Sequence, residues 1–296
     1  MNRRLSILLS GLLAGITILT ALTGTTRPAG SAPAPTPEGT PYFISHIQRS
    51  VRTSAPVGEM IKISAGTFQM GCNAGAPGCS VDEQPLHTVY LSAYAIDKYE
   101  VTNALYQACV RDGGCVAPYS SSSATREDYY GNPAFADYPV IKVNWSQAAA
   151  FCAWAGKRLP TEAEWEKAAR GSTDTRTYPW GDSKPGCTKL NYAAEATGAC
   201  VGDTNAVGSY VAGASPYGVM DMAGNAWEWV NDWWQVDYYS QSPAKDPPGP
   251  ISGLSRVIRG GAWNHISDWN VRVATRDYTN ADFWVMNLGF RCAQSQ

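Results

Sequence analysis

Gly156-Lys157-Arg158-Leu159-Pro160-Thr161-Glu162-Ala163-Glu164-Trp165-Glu166 holds a stop signal and a start signal a few residues apart. Gly156 ends the Ala-rich run Ser146–Ala155, which predicts one helix. Pro160 then breaks the chain, and Thr161 with Glu164 forms a capping box: the threonine oxygen accepts the third amide of a new helix while the glutamate reaches back to the cap. That second helix ends near Gly171. Arg158, Glu162, Glu164 and Trp165 therefore read as capping and packing residues. Upstream, Asn103–Val110 predicts a short helix with one apolar side, and Thr88–Ile96 and Ser255–Arg259 read as brief strands bounded by Gly, Asn, Asp and Pro. Long ordered loops connect these pieces, and such loops need covalent or ionic staples.

Composition agrees with a loop-rich single domain. Charged residues are 16% of 296, aromatic residues 11%, and the formal charge is −2, which excludes a wholly disordered chain and shows no basic footprint for nucleic acid. The 28 glycines and 19 prolines follow no short period, arguing against collagen-like or solenoid repeats. Walker-type loops, Gly-x-Ser-x-Gly elbows, His-Glu-x-x-His pairs and Cys-x-x-Cys motifs are absent, which removes the commonest nucleotide, hydrolase, zinc-protease and dithiol chemistries.

Two arginines precede an apolar run from Leu5 to Leu22, so residues 1–26 read as an export signal or a retained N-terminal anchor. Residues 27–56, rich in Pro, Ala and Thr, read as a linker, and 57–296 as the folded domain. Eight cysteines fit an exported protein, whether secreted, periplasmic or at the cell surface. Three pairs lie close in sequence, Cys72 with Cys79, Cys109 with Cys115 and Cys187 with Cys200, leaving Cys152 and Cys292. About a hundred pairings are formally possible, and buried reduced thiols are the alternative.

Several segments in order resemble the formylglycine-generating enzyme, or sulfatase-modifying factor, family: Gly66-Thr67-Phe68-Gln69-Met70-Gly71, Tyr99-Glu100-Val101-Thr102-Asn103, Pro139-Val140-Ile141-Lys142-Val143-Asn144-Trp145, the stretch from Gly156 to Glu166, Gly224-Asn225-Ala226-Trp227-Glu228-Trp229, Arg259-Gly260-Gly261-Ala262-Trp263 and Gly289-Phe290-Arg291. The resemblance implies an α+β fold with a C-type-lectin-like core and little regular secondary structure. It also implies a bridge between Cys152 and Cys292, worth about 4–5 kcal/mol in the chain-entropy model. The enzyme's second structural bridge has no counterpart, because Ala169 and the neighbourhood of Ala274 replace both partners. Structural calcium is implied at Asp221, Gly224, Ala226 and Glu228, and a second ion at Asn191, Tyr192, Asp203 and Asn205, all hard oxygen donors.

The family's oxidation needs two copper-binding thiols in the segment after Arg-Gly-Gly-Ala-Trp, since soft thiolates hold Cu(I). Alignment places them at His265 and Asn270, neither a cysteine, which argues against copper. The iron-dependent sulfoxide synthases of the same fold use three histidines. This chain has His46, His87 and His265 alone, with His46 in the tail and His87 in a scaffold motif. Two classes stay open: an oxidoreductase of the family, by formylglycine generation or another thiol-free oxidation, and a non-catalytic binding domain.

The binding reading has its own sequence feature. Asn264–Asn287 is rich in Asn, Asp, Tyr, Trp, Thr and Ser, the composition of an adaptable recognition surface with rigid aromatic anchors. It is similar to the variable segment of diversity-generating-retroelement target proteins, an ordinary non-varying loop being the alternative. Asn264, His265, Ser267, Trp269, Asp277, Tyr278, Asn280, Phe283 and Trp284 are the candidate contacts for a protein, peptide or glycan. Trp227, Trp229, Trp233 and Trp234 read as core and pocket wall, and the sequon Asn144-Trp145-Ser146 as structural.

Overall fold

The computed structural model describes residues 58–194 and 198–296. The expected signal or anchor at 1–26, the linker at 27–56 and His46 lie outside the described residues. In chain order the elements are β1 (Met60–Ile63), β2 (Gly66–Met70), β3 (His87–Leu91), β4 (Tyr94–Asp97), α1 (Asn103–Arg111), α2 (Trp145–Trp154), α3 (Glu162–Arg170), β5 (Ala193–Ala194), β6 (Gly198–Ala199), β7 (Trp227–Trp233), β8 (Ser255–Arg259), β9 (Arg276–Asn280), β10 (Leu288–Phe290) and β11 (Ala293–Ser295). Long loops join them, as the glycine and proline content predicts, and the architecture is α+β. No helix among the described residues is long and apolar enough to cross a membrane.

Each of the three helices starts behind a side-chain cap, of which the sequence reading named Thr161. Thr161 accepts from the Glu164 amide and Glu164 reaches back to the Thr161 amide, closing the capping box of α3. Asn144 and Gln147 make the same reciprocal pair at α2, so the sequon asparagine is spent on the helix start. The segment Thr88–Ile96, expected as one strand, is two. β3 pairs with β2, whereas β4 sits between β1 and β11 in a different sheet. The chain turns at Ser92, whose amide and hydroxyl both donate to the Asp246 carboxylate.

The larger sheet has the order β10-β7-β8-β9, with β10 parallel to β7 and the other pairs antiparallel. Against the sheets lies α3, and all nine of its residues are buried although five are charged. Its two alanines at 168 and 169 and the Trp165 ring supply the apolar contact with Phe68, Val89, Val230 and Val257. The charges are matched one by one. Glu162 takes a fork from Arg276 at 2.8 Å on both oxygens; Glu166 takes Arg170 at 2.9 Å and Arg259 at 2.6 Å; Lys167 donates to the carbonyls of Ser64 and Gly66. Burial alone would raise the Glu166 carboxyl, but Arg170 and Arg259 outweigh it and hold it below the ordinary carboxylate range. A second apolar layer joins α1 and α2 to β7 and β10 through Tyr106, Phe151, Trp229 and Phe290.

The eight cysteines close into four bridges: Cys72–Cys79, Cys109–Cys115, Cys187–Cys200 and Cys152–Cys292. None is left reduced. The long bridge ties α2 to Cys292 in the two-residue link between β10 and β11, and Ala169 and Ala274 are buried alanines. A set of four disulfides suits an oxidising compartment.

Candidate functional site

Asn270 lies within a single 3-10 turn, Asp268–Val271, and His265 three residues ahead of it, after the Gly260-Gly261 bend at the end of β8. The Trp227 indole donates its Nε1–H to His265 Nε2 at 2.8 Å, and the two rings meet edge-on at 5.2 Å. An acceptor Nε2 makes the imidazole neutral with its proton on Nδ1, and burial pushes its pKa below the usual histidine value, against the raising influence of the Asn270 side chain. The nitrogen best placed to bind a metal is therefore already occupied by a protein donor. The two positions expected to correspond to the copper thiols hold an imidazole and an amide.

The segment Asn264–Asn287, expected as a recognition surface, folds onto several supports. Asn264, Trp269, Asp277, Tyr278, Asn280, Phe283 and Trp284 are exposed, while His265 and Ser267 are half-buried. β9 forms the edge of the larger sheet and displays Asp277, Tyr278 and Asn280; the Tyr278 ring stacks on Trp234 at 4.5 Å, and the Arg276 guanidinium lies over the same indole. Trp284 stacks on Tyr119 at 5.0 Å with the planes 8° apart, so a second aromatic pair is built from two distant loops. Trp269 rests on Gly78 of the Cys72–Cys79 loop, where a Cβ would strike its ring and φ is +73°. Part of the polar set is committed locally: Ser267 accepts from the Trp269 amide, Asp277 from that of Tyr278 and Asn280 from that of Asp282, while Asn264 accepts from Asn287. The exposed rings are the free part of the face. Sequence reading missed Tyr119, whose only signal is a tyrosine ahead of a Ser-rich loop; Trp234, read with its neighbours as core and pocket wall, is partly buried against the core.

Below this face lies a set of buried acids. Glu228 receives Arg291 in a fork, at 2.6 Å on Oε1 and 2.7 Å on Oε2, and the Trp165 indole at 2.8 Å on Oε2. Asp221, at φ +57°, accepts the Gly208 amide. Glu100 takes the Asn225 amide on both oxygens. Burial first, then Asp221 and Glu228, push the Glu100 carboxyl well above its ordinary range; burial, with help from Glu228, raises Asp221 to about 6 against the Gly208 amide and Arg291. Three buried carboxylates thus share one guanidinium. Glu100, in the Tyr-Glu-Val-Thr-Asn motif, was not foreseen as a member.

The second expected set is knitted around Asn225, whose Oδ1 accepts from the Asn191 side chain and the Asn205 amide. Asn191 is fully buried and its Oδ1 has no hydrogen-bond partner. Asp203 Oδ2 already accepts from the Ser123 hydroxyl and from Thr125, and Oδ1 from the Thr204 amide. These donors hold its carboxyl below the ordinary range in spite of burial. The Tyr192 carbonyl accepts the Cys200 amide and the Asn205 carbonyl the Asn225 side chain.

Comparison with known proteins agrees with this architecture. Residues 47–296 match the family model of the sulfatase-modifying factor enzyme 1-like domain. The formylglycine-generating enzyme of Streptomyces coelicolor is 36% identical over 282 residues, covering 79% of this chain and 88% of its own. Among solved structures, PvdO from Pseudomonas aeruginosa superposes with a TM-score of 0.67 at 28% identity, covering 81% of this chain and 95% of that one. Treponema denticola variable protein 1 superposes with a TM-score of 0.64 at 30% identity, covering 80% and 95%. With the family model spanning most of its length and the expected segments in place, the chain belongs to the formylglycine-generating enzyme, or sulfatase-modifying factor, family.

Proposed function

We propose that this chain is an exported, calcium-stabilised member of the family that binds a protein, peptide or glycan through its C-terminal loops and performs no copper-dependent oxidation. One observation carries the reading: all eight cysteines are spent in disulfides, and the positions where the resemblance expects the copper thiols hold His265 and Asn270. One imidazole, itself bonded to Trp227, cannot replace two thiolates as a soft Cu(I) site. Support for binding comes from the exposed rings of Trp269, Tyr278, Phe283 and Trp284, anchors that cost little entropy to immobilise. The similarity to a solved variable protein points the same way.

The residues fit structural calcium at the first set. Asp221 and Glu228, with the carbonyls of Gly224 and Ala226, would hold the ion, and its charge would offset the surplus of carboxylates over Arg291. At the second set the unpartnered Asn191 Oδ1 is the supporting observation. The ion would supply cross-linking of loops, not a reaction step.

The test uses the exported domain with intact disulfides. Loaded with Cu(I) under air and mixed with a Cys-x-Pro-x-Arg peptide, it should leave the cysteine unconverted by mass spectrometry, while glycan and peptide arrays should yield a ligand. Conversion to formylglycine would overturn the reading.

A further inference from the structure

Trp269 is an exposed anchor of the ligand face, and its own segment holds only its backbone. The Trp269 carbonyl accepts from the Arg272 Nε–H at 3.1 Å and from the Thr275 hydroxyl at 2.6 Å. The ring is carried from far away in sequence, by Gly78 at φ +73°, where an added methyl group would overlap the indole. Gly78 sits in the loop closed by Cys72–Cys79. Residues 73–78 are exposed, and their backbone bonds form two internal turns, from the Ala76 amide to the Asn73 carbonyl and from the Cys79 amide to that of Ala76. Asn73, Ala76 and Pro77 stand over a space of about 120 Å³, so a cavity, not a core, lies beneath them. The bridge at its base is what fixes the loop.

The surroundings of this bridge suit its opening. Cys72 and Cys79 are both half-buried, within reach of a reductant, whereas Cys109, Cys152 and Cys292 are fully buried. Cys72 Sγ lies 3.1 Å from Glu83 Oε2. In the disulfide that sulfur has no proton to give; as a thiol it becomes a donor to a charged acceptor, the stronger class of hydrogen bond. Arg272 keeps the acceptor in place with a fork at 2.8 and 2.7 Å, and the same guanidinium holds the Trp269 carbonyl. Opening the bridge therefore gains a bond at Glu83 and leaves the Trp269 backbone tied while its ring loses the support of Gly78.

We propose that the Cys72–Cys79 bridge is a redox-controlled clamp on Trp269: an external dithiol opens it, frees the 73–78 loop from beneath the ring and switches off this anchor of the ligand face. A thiolate of the dithiol attacks Cys79 Sγ, the sulfur away from the Glu83 carboxylate, which repels an anionic nucleophile. The S–S bond breaks, Cys72 leaves and takes up a proton, and the second thiol of the reductant resolves the mixed disulfide and frees Cys79. Two electrons pass to the protein, and the dithiol becomes a cyclic disulfide. The consequence for binding rests on the proposed ligand face; the clamp itself is read at Trp269, so it can fail with the face intact, and a ligand indifferent to Trp269→Ala would refute the face with the clamp intact.

The experiment equilibrates the oxidised, ¹⁵N-labelled protein with mixtures of reduced and oxidised dithiothreitol, alkylates the free thiols and locates them by peptide mass spectrometry. Cys109–Cys115 is the internal reference, since the two bridges span separations of 6 and 7 residues and differ in their surroundings. Cys72–Cys79 should open at a ratio of reduced to oxidised reagent at least about tenfold lower. In step with that opening, the Trp269 indole N–H signal, assigned through Trp269→Phe, should move and the Gly78 α-protons should lose the displacement caused by the ring; the Trp227 indole, bonded to His265, should stay, and reoxidation should restore all signals. Cys72→Ser/Cys79→Ser should show the released signals without reductant and respond no further. A bridge no easier to open than Cys109–Cys115, Trp269 and Gly78 signals unmoved once the pair is open, or a double variant that still responds each overturns the proposal. Should the double variant not fold, Gly78→Ala with the bridge closed replaces it: its methyl group should displace the ring, and an unmoved Trp269 signal refutes the clamp.

Discussion

Removing the bridge between Cys152 and Cys292 should cost far more stability than removing any other. It closes a loop of 140 residues, whereas Cys109–Cys115 closes six. In the chain-entropy model the first is worth about 5 kcal/mol and the second about 2 kcal/mol. The comparison is fair because each pair includes sulfur atoms in the apolar layer of α1 and α2: Cys109, Cys152 and Cys292 are all fully buried. Cys115 is only partly buried, so alanine at both members of the long pair also removes somewhat more packing, and the loop accounts for about 3 kcal/mol of the difference. The assay is equilibrium unfolding in urea by tryptophan fluorescence on the two double variants, after counting thiols to establish that the other three bridges are closed. An m-value of about 3 kcal/mol/M turns the difference into a midpoint gap of about 1 M. Two double variants within about 1 kcal/mol of each other, or a costlier loss from the short loop, would refute the reasoning.

Other consequences follow from the buried charges and the exposed rings. Arg259→Met leaves Glu162 and Glu166 short of a partner in the core and should destabilise by about 3–5 kcal/mol in denaturant titration, whereas Arg158→Met, whose side chain is 39% exposed, should cost about 1 kcal/mol or less. Burial, then Glu162, raises the Asp232 carboxyl to about 8, so the folded protein keeps a proton that the unfolded chain releases above about 4. Its contribution is therefore complete below pH 4 and falls as pH rises to 8; Asp232→Asn should flatten that part of the melting profile. A chelator should lower the melting temperature, and Glu228→Gln should lower it in buffer and remove most of the chelator effect; a melting point indifferent to chelator sinks the calcium assignment. Trp284→Ala, which unstacks the exposed pair with Tyr119, should weaken an array-identified ligand at least tenfold without moving the melting temperature by more than a few degrees.

Much of the fold was legible because its signals are local. The Ala-rich run stopped by Gly156 and the capping box at Thr161 placed two helices to within a residue, and the Gly-Phe-Arg and Gly-Asn-Ala-Trp-Glu segments carried the family. The strand break at Ser92 was not legible, since it depends on Asp246, 154 residues away in sequence. The burial of α3 was equally hidden. Nothing local to Glu162, Glu166 and Lys167 shows that Arg276, Arg259 and two carbonyls arrive from elsewhere to meet them. In the candidate site, the exposed aromatic residues were found by composition, but Ser267 and Asn280 turned out to cap local turns. The third buried acid, Glu100, and the stacking partner Tyr119 required the folded chain.

The order of the bridges sets a problem for biosynthesis. Counted from the N-terminus, two of the short pairs close between successive cysteines, but Cys152 must then wait while Cys187 and Cys200 pass it and pair with each other. An oxidant that joins thiols as they emerge makes 152–187 and 200–292 instead, trapping α2 against the wrong loop. Correct maturation therefore demands reshuffling, and the yield of this protein should follow the capacity of the producing cell for disulfide isomerisation more closely than its capacity for oxidation.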